Sequence, residues 1–226
     1  MGLTDRAAPG APALLAEYGR RLLEKNQVMN LTAITAPEDV AALHMLDCAA
    51  LLDFADLDGK SLIDVGTGAG FPGLALKIMA PTLSVTLLDS LNKRLDWLKE
   101  TAEALDLDRV TTLHARAEEA GHDPGLREAF DFAAARAVAE LRVLCELCLP
   151  FVKVGGRFLA MKGPEAAAEL EGAQTAIALL GGRAAGIYPY AIPGRSEQRR
   201  LVVVEKISGT PERYSRRWAK IQNHPL

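Results

Sequence analysis

The sequence has few cysteines, few aromatic residues, little net charge and no long apolar run. Its 226 residues include three cysteines and 5% aromatic residues, and the formal net charge is −3. Three cysteines are too few for a disulfide scaffold. No stretch reaches the 18 apolar residues of a membrane span, so we expect no membrane partner. The weak charge gives no sign of a nucleic-acid partner. The ordinary balance of 49% hydrophobic and 24% charged residues predicts one globular domain with a sizeable core.

Two of the cysteines, Cys145 and Cys148, have the spacing of half a zinc site or a redox pair. They lie inside an apolar helical pattern, and no second Cys/His pair at ligand spacing accompanies them. A structural role is therefore favoured, and no metal is predicted. The first residues contain no apolar core segment of a signal peptide, so we expect a cytoplasmic protein.

The hydrophobic pattern changes once along the chain. From Leu14 to Phe54 apolar residues recur at three- and four-residue steps, which predicts helices. Beyond a linker at 56–60, short β-rich runs alternate with helical patterns, which predicts a doubly wound, mainly parallel seven-stranded sheet. The last two runs have no helix between them and predict an antiparallel edge. The predicted strands are 62–65, 84–88, 110–114, 130–136, 157–161, 187–192 and 201–206.

The most informative segment is residues 64–73, Asp-Val-Gly-Thr-Gly-Ala-Gly-Phe-Pro-Gly, which follows the first predicted strand. Alternate glycines let the backbone turn sharply and admit a ligand close to the main chain. Gly68, Gly70 and Gly73 also satisfy G-x-G-x-x-G, so the loop alone fits either a dinucleotide or another nucleoside cofactor.

Two carboxylates favour S-adenosylmethionine over a dinucleotide. Asp64 stands two residues before the first glycine, where it would repel a pyrophosphate but attract the ammonium group of a methionine. Asp89 ends the second predicted strand, where a carboxylate can accept both ribose hydroxyls. We therefore predict S-adenosylmethionine as cofactor, with S-adenosylhomocysteine as product and Gly66, Gly68 and Asp89 among its contacts.

Further candidates stand at the ends of later strands. Ala117 and Glu118 follow the third strand, where an adenine would lie, and Glu118 either accepts from its amino group or is solvated. Arg136 ends the fourth strand, where a clamp on substrate or cofactor is favoured over a structural ion pair. His44 and Asp47, at i and i+3, are either an acid/base pair or capping and packing residues.

The fourth strand lacks two signatures of base methylation. It is not followed by the Asn/Asp-Pro-Pro-aromatic turn typical of enzymes that methylate exocyclic amines. No cysteine is next to a proline, as the nucleophile for cytosine C5 methylation typically is. What remains is an atom with a free lone pair, such as guanine N7. Such an atom needs no general base, so no catalytic residue is assigned.

Together these segments resemble the bacterial 16S ribosomal RNA guanine-N7 methyltransferases, also called glucose-inhibited division protein B, from about Leu14 to the C-terminus. The resemblance is carried by Asn30-Leu31-Thr32, His44-x-x-Asp47, residues 64–73, 87–94 and 116–119, Arg136-Ala137 and Lys162-Gly163. The tail departs from the family pattern, with Ser215 where a proline is frequent and His224 where a basic residue is common.

The resemblance implies a class I S-adenosylmethionine-dependent, Rossmann-like fold. It also implies that the protein binds the cofactor through Gly66, Phe71, Ala117, Glu118 and Arg136. The implied target is a guanine in the decoding-region loop of 16S RNA. We accordingly divide the chain into an N-terminal helical cap (1–56), a methyltransferase domain (57–207) and a basic C-terminal tail (208–226), and expect a monomer.

The net charge conceals a basic C-terminal end. Residues 195–226 contain eight Lys or Arg and three Glu, a balance of +5, so the first 194 residues carry −8. Tyr214 and Trp218 could stack on bases beside this charge. The candidate RNA contacts are Lys162, Arg195, Arg199, Arg200, Arg216 and Arg217. The small ribosomal subunit or its RNA is thus the expected partner.

Three other functions stay open at this point. A methyltransferase for small molecules or protein would have an apolar lid and no basic rim. Asp64 disfavours an NAD-dependent oxidoreductase. The intact strand ends argue against a cofactor-binding regulatory module without catalysis.

Overall fold

The computed structural model describes residues 6–226. Residues 1–5 lie outside the described residues. They include the start of the predicted helical cap and of the stretch in which no signal peptide is predicted. Within residues 6–226, no helix is long and apolar enough to cross a membrane.

A single sheet of seven strands forms the centre of the molecule, in the order β3-β2-β1-β4-β5-β7-β6. Strands β1 to β5 are parallel, and β7 pairs antiparallel with both β5 and β6. The predicted sheet with its antiparallel edge is therefore confirmed. The strands are β1 (Ser61–Val65), β2 (Ser84–Asp89), β3 (Val110–His114), β4 (Phe130–Arg136), β5 (Val152–Lys162), β6 (Gly182–Tyr190) and β7 (Arg199–Lys206).

Strand β6 begins five residues before its prediction. Its pairing with β7 is shifted between Ala184 and Gly186, which indicates a bulge in the part of the strand that was not predicted. The strand order reverses at β1, which pairs with β2 on one side and with β4 on the other. This reversal creates a crevice at the carboxyl ends of the strands, where open α/β sheets bind ligands.

Helices cover both faces of the sheet. Because side chains alternate along a strand, Leu62 belongs to the core on one face and Ile63 to the core on the other. The helices are α1 (Ala11–Asn26), α2 (Pro37–Val40), α3 (Asp47–Ala49), α4 (Gly73–Met79), α5 (Asn92–Ala104), α6 (Ala117–Ala120), α7 (Leu141–Cys148), α8 (Ala166–Leu179) and α9 (Trp218–Asn223). Helices α1 to α5 pack on the first face, and α7 to α9 on the second.

Residues 37–53 form one continuous helical stretch with an irregular middle. Between α2 and α3 lies a π-helical segment, Ala41–Leu46, and a 3₁₀ turn follows at Ala50–Asp53. Such π segments occur frequently at functional sites because they re-aim side chains. Here the π segment carries His44 and precedes Asp47, and both side chains turn towards β4.

The last nineteen residues pack closely against the second face. Arg127 donates hydrogen bonds to the carbonyl oxygens of Gly121, Thr210 and Tyr214. Tyr214 itself is buried, which leaves its ring no face for a nucleic-acid base and contradicts the stacking expected of it. The division of the chain into cap, domain and tail stays a prediction.

All three cysteines are buried and free. Cys145 and Cys148 lie in the core between α7 and the sheet, where burial raises the pKa of both thiols. This is the environment expected for the structural role that their helical pattern favoured.

Candidate active site

A crevice of about 430 Å³ opens at the carboxyl ends of β1 to β4. The loops after these four strands form its floor, and residues from the N- and C-terminal segments form its walls. Its lining includes all seven residues predicted to contact the cofactor. They are Gly66, Gly68, Phe71, Asp89, Ala117, Glu118 and Arg136.

The glycine loop depends on backbone conformations that favour glycine. Gly66, Gly68 and Gly70 have φ values of +75°, +57° and +89°. A Cβ at Gly70 would overlap the Tyr18 hydroxyl and lie 2.7 Å from Leu98 Cδ2. The Tyr18 hydroxyl also donates a hydrogen bond to the Ala69 carbonyl. Helix α1 therefore holds the loop from one side.

Asp64 anchors this loop and does not line the crevice. Its Oδ2 accepts hydrogen bonds from Thr67 Oγ1 (2.6 Å) and from the Gly73 amide (2.8 Å). Its Oδ1 is buried without a hydrogen-bond partner, and burial raises the pKa of the carboxyl to about 6. The expectation that Asp64 faces the ammonium group of a ligand is therefore wrong, because the carboxylate lies beneath the loop.

Asp89 occupies the predicted position at the end of β2. Its Oδ2 accepts from the Gly68 amide at 3.0 Å, and its Oδ1 accepts from the Leu91 amide at 2.9 Å. Arg94 Nη1 lies 3.5 Å from the same carboxylate. Asp89 thus joins the loops after β1 and β2, and it remains in the crevice lining.

The loop after β3 brings Arg116, Glu118 and an unexpected tryptophan together. Glu118 Oε1 accepts from Arg116 Nε at 2.5 Å, and its side chain is only 7% exposed. The solvated alternative for Glu118 is therefore wrong. The Arg116 guanidinium lies 5.2 Å from the ring centre of Trp218, which comes from α9 and also lines the crevice.

Arg136 forms a structural ion pair and also lines the crevice, so the ion-pair alternative is confirmed and the clamp on a ligand stays a prediction. Its Nη1 donates to Asp47 Oδ2 (3.1 Å) and to the Leu43 carbonyl (3.0 Å). Its Nη2 donates to His44 Nδ1 at 2.8 Å. The guanidinium also lies 5.0 Å from the ring centre of Phe71, on which His44 stacks.

His44 and Asp47 do not form an acid/base pair with each other. Each binds Arg136, and His44 Nε2 lies 2.9 Å from Thr32 Oγ1. Burial, and then the charge of Arg136, lower the pKa of His44 to about 4. The packing alternative describes these two residues.

A second cavity of about 310 Å³ adjoins the crevice and shares His44, Arg136 and Ala137 with it. Tyr190, which the sequence did not single out, donates from its hydroxyl to Asp47 Oδ1 at 2.8 Å. Arg199 lies 3.6 Å from the same oxygen, and its Nε is buried without a hydrogen-bond partner. Both Tyr190 and Arg199 line the second cavity.

Several predicted RNA contacts are already engaged within the protein. Lys162 is 8% exposed and bonds Glu169 (2.6 Å) and the Ala139 carbonyl (2.7 Å). The Arg216 guanidinium makes a bidentate pair with the buried Glu146. Both side chains are thus paired within the protein, and Lys162 also lines the second cavity described above, so their contact with RNA stays a prediction.

The other basic candidates differ in exposure. Arg195 pairs with Asp39, and Arg200 donates weakly to Gln198 at 3.4 Å. Arg217, at the beginning of α9, is exposed and adjoins Trp218 at the crevice. Of these residues, Arg217 is the best placed to meet a phosphate.

The crevice fits S-adenosylmethionine by its shape and by its chemistry. A Cβ at Gly66 would lie 2.8 Å from Val138 Cγ2, so the segment after β4 packs directly on the glycine loop, and both line the crevice. Asp89 lines the crevice at the end of β2, where a carboxylate can accept from ribose hydroxyls. No cluster of His, Cys, Asp or Glu among residues 6–226 could hold a metal ion.

Comparison with solved structures defines the class. TrmN from Thermus thermophilus aligns with a TM-score of 0.55 and 25% identity, over 72% of this chain and 48% of that one. A 16S rRNA (adenine(1408)-N(1))-methyltransferase from Catenulisporales acidiphilia, solved with S-adenosylmethionine, aligns with a TM-score of 0.56 and 15% identity. The alignment covers 69% of this chain and 88% of that one. The fold and the crevice together define a class I S-adenosylmethionine-dependent methyltransferase.

The sequence comparisons define the family. The GidB model, described as rRNA small subunit methyltransferase G, matches residues 12–199. Ribosomal RNA small subunit methyltransferase G of Alkaliphilus metalliredigens is 48% identical over 94% of this chain and 89% of its own length. The protein of the same name from Lactobacillus johnsonii is 47% identical over 93% of this chain and 90% of its own length. The chain therefore belongs to the rRNA small subunit methyltransferase G family.

Proposed function

We propose that this protein transfers the methyl group of S-adenosylmethionine to N7 of a guanine in 16S ribosomal RNA. The observation that carries the proposal is the pair of adjoining cavities with a common wall at Arg136, His44 and Ala137. One cavity has the glycine loop and strand-end carboxylate of a nucleoside site. The other offers a separate pocket for an unstacked base, which enzymes acting on nucleic-acid bases require.

The larger cavity is the cofactor site in this proposal. Asp89 accepts from the ribose, while Ala117 and Glu118 lie beside the adenine. Gly66 and Gly68 let the backbone approach the ligand, and Phe71 supports Arg136 and His44 from below. When bound, S-adenosylmethionine supplies an electrophilic methyl group on a positively charged sulfur.

The junction of the two cavities requires no general base. Guanine N7 has a lone pair and no hydrogen, so the transfer depends on alignment. Both ring nitrogens of His44 are engaged, by Arg136 and by Thr32, and the low pKa keeps the imidazole neutral. Asp47 is bonded to Arg136 and Tyr190. The residues at this junction thus position the reactants and accept no proton.

The smaller cavity has chemistry suited to guanine. Guanine presents two acceptors, O6 and N7, on its Hoogsteen edge, whereas adenine presents an amino donor in place of O6. Arg199 lines this cavity and carries further guanidinium N–H groups besides its Nε, which lies 3.6 Å from Asp47 Oδ1. A hydrogen bond from Arg199 to O6 would favour guanine over adenine. We further propose that the protein is a monomer and acts in the cytoplasm on the RNA of the small ribosomal subunit.

The test is methyl transfer from labelled S-adenosylmethionine to small subunits, and separately to protein-free 16S RNA, from cells that lack the enzyme. We expect label at one guanine and chain cleavage specific for 7-methylguanosine. Gly66→Val is the inactive control, because its side chain would need a positive φ and the space of Val138. Label on an adenine or cytosine would refute the assignment to N7.

A further inference from the structure

The C-terminal segment contributes an aromatic wall to the crevice. Trp218, the first residue of α9, lines the cavity together with the residues that follow β3. This position lies beyond residues 12–199, the part of the chain matched by the family model. The other aromatic lining residues, His44 and Phe71, stack on each other beside Arg136, at the end of the crevice formed by β4.

The position of Trp218 relative to Asp89 indicates which part of a ligand it meets. The sheet runs in the order β3, β2, β1, β4 across the floor of the crevice. In the proposed cofactor site the adenine lies beside Ala117 and Glu118, which follow β3. Arg116 and Trp218 line the same part of the crevice, with the guanidinium 5.2 Å from the ring centre. A flat aromatic ring and a guanidinium are the groups on which nucleobases stack.

The segment before Trp218 is anchored firmly enough to hold such a wall. The Arg216 side chain forms two bonds to the Glu146 carboxylate, at 2.8 and 2.6 Å, and the Arg216 amide forms a third at 2.8 Å. Ser215 Oγ donates to the Glu146 carbonyl at 2.7 Å. Ile221, one turn after Trp218, is fully buried. Glu146 belongs to α7, whose next residue, Leu147, also lines the crevice.

We infer that Trp218 is a binding residue for the adenine of S-adenosylmethionine and of S-adenosylhomocysteine, so that the segment after β7 completes the cofactor site. The inference rests on the proposed function, because it places the same cofactor in the same crevice. It assigns a ligand contact to the tail, which the sequence had associated with RNA alone.

Tryptophan fluorescence tests this directly, because the chain has only two tryptophans. Trp97 is buried in α5, on the opposite face of the sheet. In a Trp97→Phe variant the emission comes from Trp218 alone. We expect S-adenosylhomocysteine to change this emission saturably, with the Kd that calorimetry gives for the same variant.

Calorimetry on Trp218 variants supplies the second readout. Trp218→Ala should raise the Kd for S-adenosylhomocysteine roughly 5- to 100-fold, the range for loss of one base–aromatic stack, and Trp218→Phe should retain most of the affinity. Gln222→Ala, an exposed change in the same helix, is the matched control and should leave the Kd unchanged. Circular dichroism reports whether each variant is folded.

The outcomes separate the inference from the proposed function. If the wild type binds S-adenosylhomocysteine but the emission of Trp218 does not respond and Trp218→Phe and Trp218→Ala bind as the wild type does, the inference is overturned and the proposed function stands. If the wild type binds no S-adenosylhomocysteine, the proposed function itself fails.

Discussion

At the scale of single residues, the most consequential environment is that of His44. Its ring stacks on Phe71 beside the Arg136 guanidinium, which also lies over Phe71, and both of its nitrogens have partners. Burial and the neighbouring positive charge disfavour a second proton, which explains the pKa of about 4. His44 therefore makes stability depend on pH in a way that can be measured.

We expect protonation of the unfolded chain at His44 to reduce stability in mild acid. Below pH 6.5 an unfolded histidine binds a proton that folded His44 binds only near pH 4, so this contribution falls as the pH falls through that window. Between pH 7.5 and 4.5 the free energy of unfolding should drop by roughly 2–3 kcal/mol more in the wild type than in His44→Gln.

The pH dependence of stability must be compared between the wild type and His44→Gln, because Asp64 changes the stability in the opposite direction in both proteins. Its pKa is raised to about 6, so the folded state binds the extra proton and the stability contribution rises as the pH falls. Urea titrations of the wild type, His44→Gln and the exposed control His224→Gln measure the difference. Equal pH dependence of wild type and His44→Gln would contradict the environment described for His44.

The sequence correctly predicted which residues lie at the crevice where a position at the end of a strand determines this. Asp89 and Arg136 line the crevice because parallel strands end at one edge of the sheet. The partners of Lys162 and Arg216 could not be predicted, because packing brings Glu169 and Glu146 to them. Glu146 is 70 residues from Arg216, and no local pattern links the two.

At the scale of elements, the N-terminal helix and the glycine loop form one packed unit. The Tyr18 ring stacks on Phe71 at 5.2 Å, and its hydroxyl fills the space beside Gly70. The N-terminal segment covers the core and also shapes the crevice, since Tyr18 holds the loop while Thr32 and His44 line the cavity.

Gly70→Ala tests this unit. The substitution places a Cβ on the Tyr18 hydroxyl at a backbone φ of +89°, so we expect the free energy of unfolding to fall by about 2–4 kcal/mol. Gly172→Ala is the matched control, because a Cβ in α8 meets nothing within 4 Å. It should raise stability by about 0.5–1 kcal/mol. Thermal and urea unfolding measure both, and a neutral Gly70→Ala would contradict the packing.

The alternation of strands and helices could be read from the sequence because hydrophobic period and turn residues act locally. The π segment at Ala41–Leu46 could not, since apolar residues at three- and four-residue steps are equally compatible with a regular helix. That segment orients His44 and Asp47 towards Arg136. The second cavity that depends on it was therefore missed as well.

At the scale of the whole molecule, the basic C-terminal end is less available than its sequence suggests. Lys206 is fully buried and bonds the carbonyls of Leu149 and Val152, and Arg216 is paired with Glu146. The exposed positive charges of this end include Arg213, Arg217 and Lys220. Of these, Arg217 adjoins the crevice through Trp218.

RNA binding should therefore depend on salt through few contacts. We expect Arg217→Ala to weaken binding to 16S RNA and to reduce the slope of log K against log salt concentration by about 0.7–0.9, as the loss of one phosphate contact does. Lys60→Ala is the control, because Lys60 is exposed immediately before β1, at the amino-terminal end of that strand and away from the crevice. Filter binding at several salt concentrations measures both slopes, and an unchanged slope for Arg217→Ala would remove Arg217 from the interface.

The shared wall between the two cavities has a thermodynamic consequence. Arg136 borders both, and its hydrogen bonds to Leu43, His44 and Asp47 tie it to the helical stretch over 37–53. A ligand that shifts this guanidinium from one side changes the pocket on the other. Such coupling is reciprocal, so the factor by which the methyl donor alters the affinity for RNA equals the factor by which RNA alters the affinity for the donor.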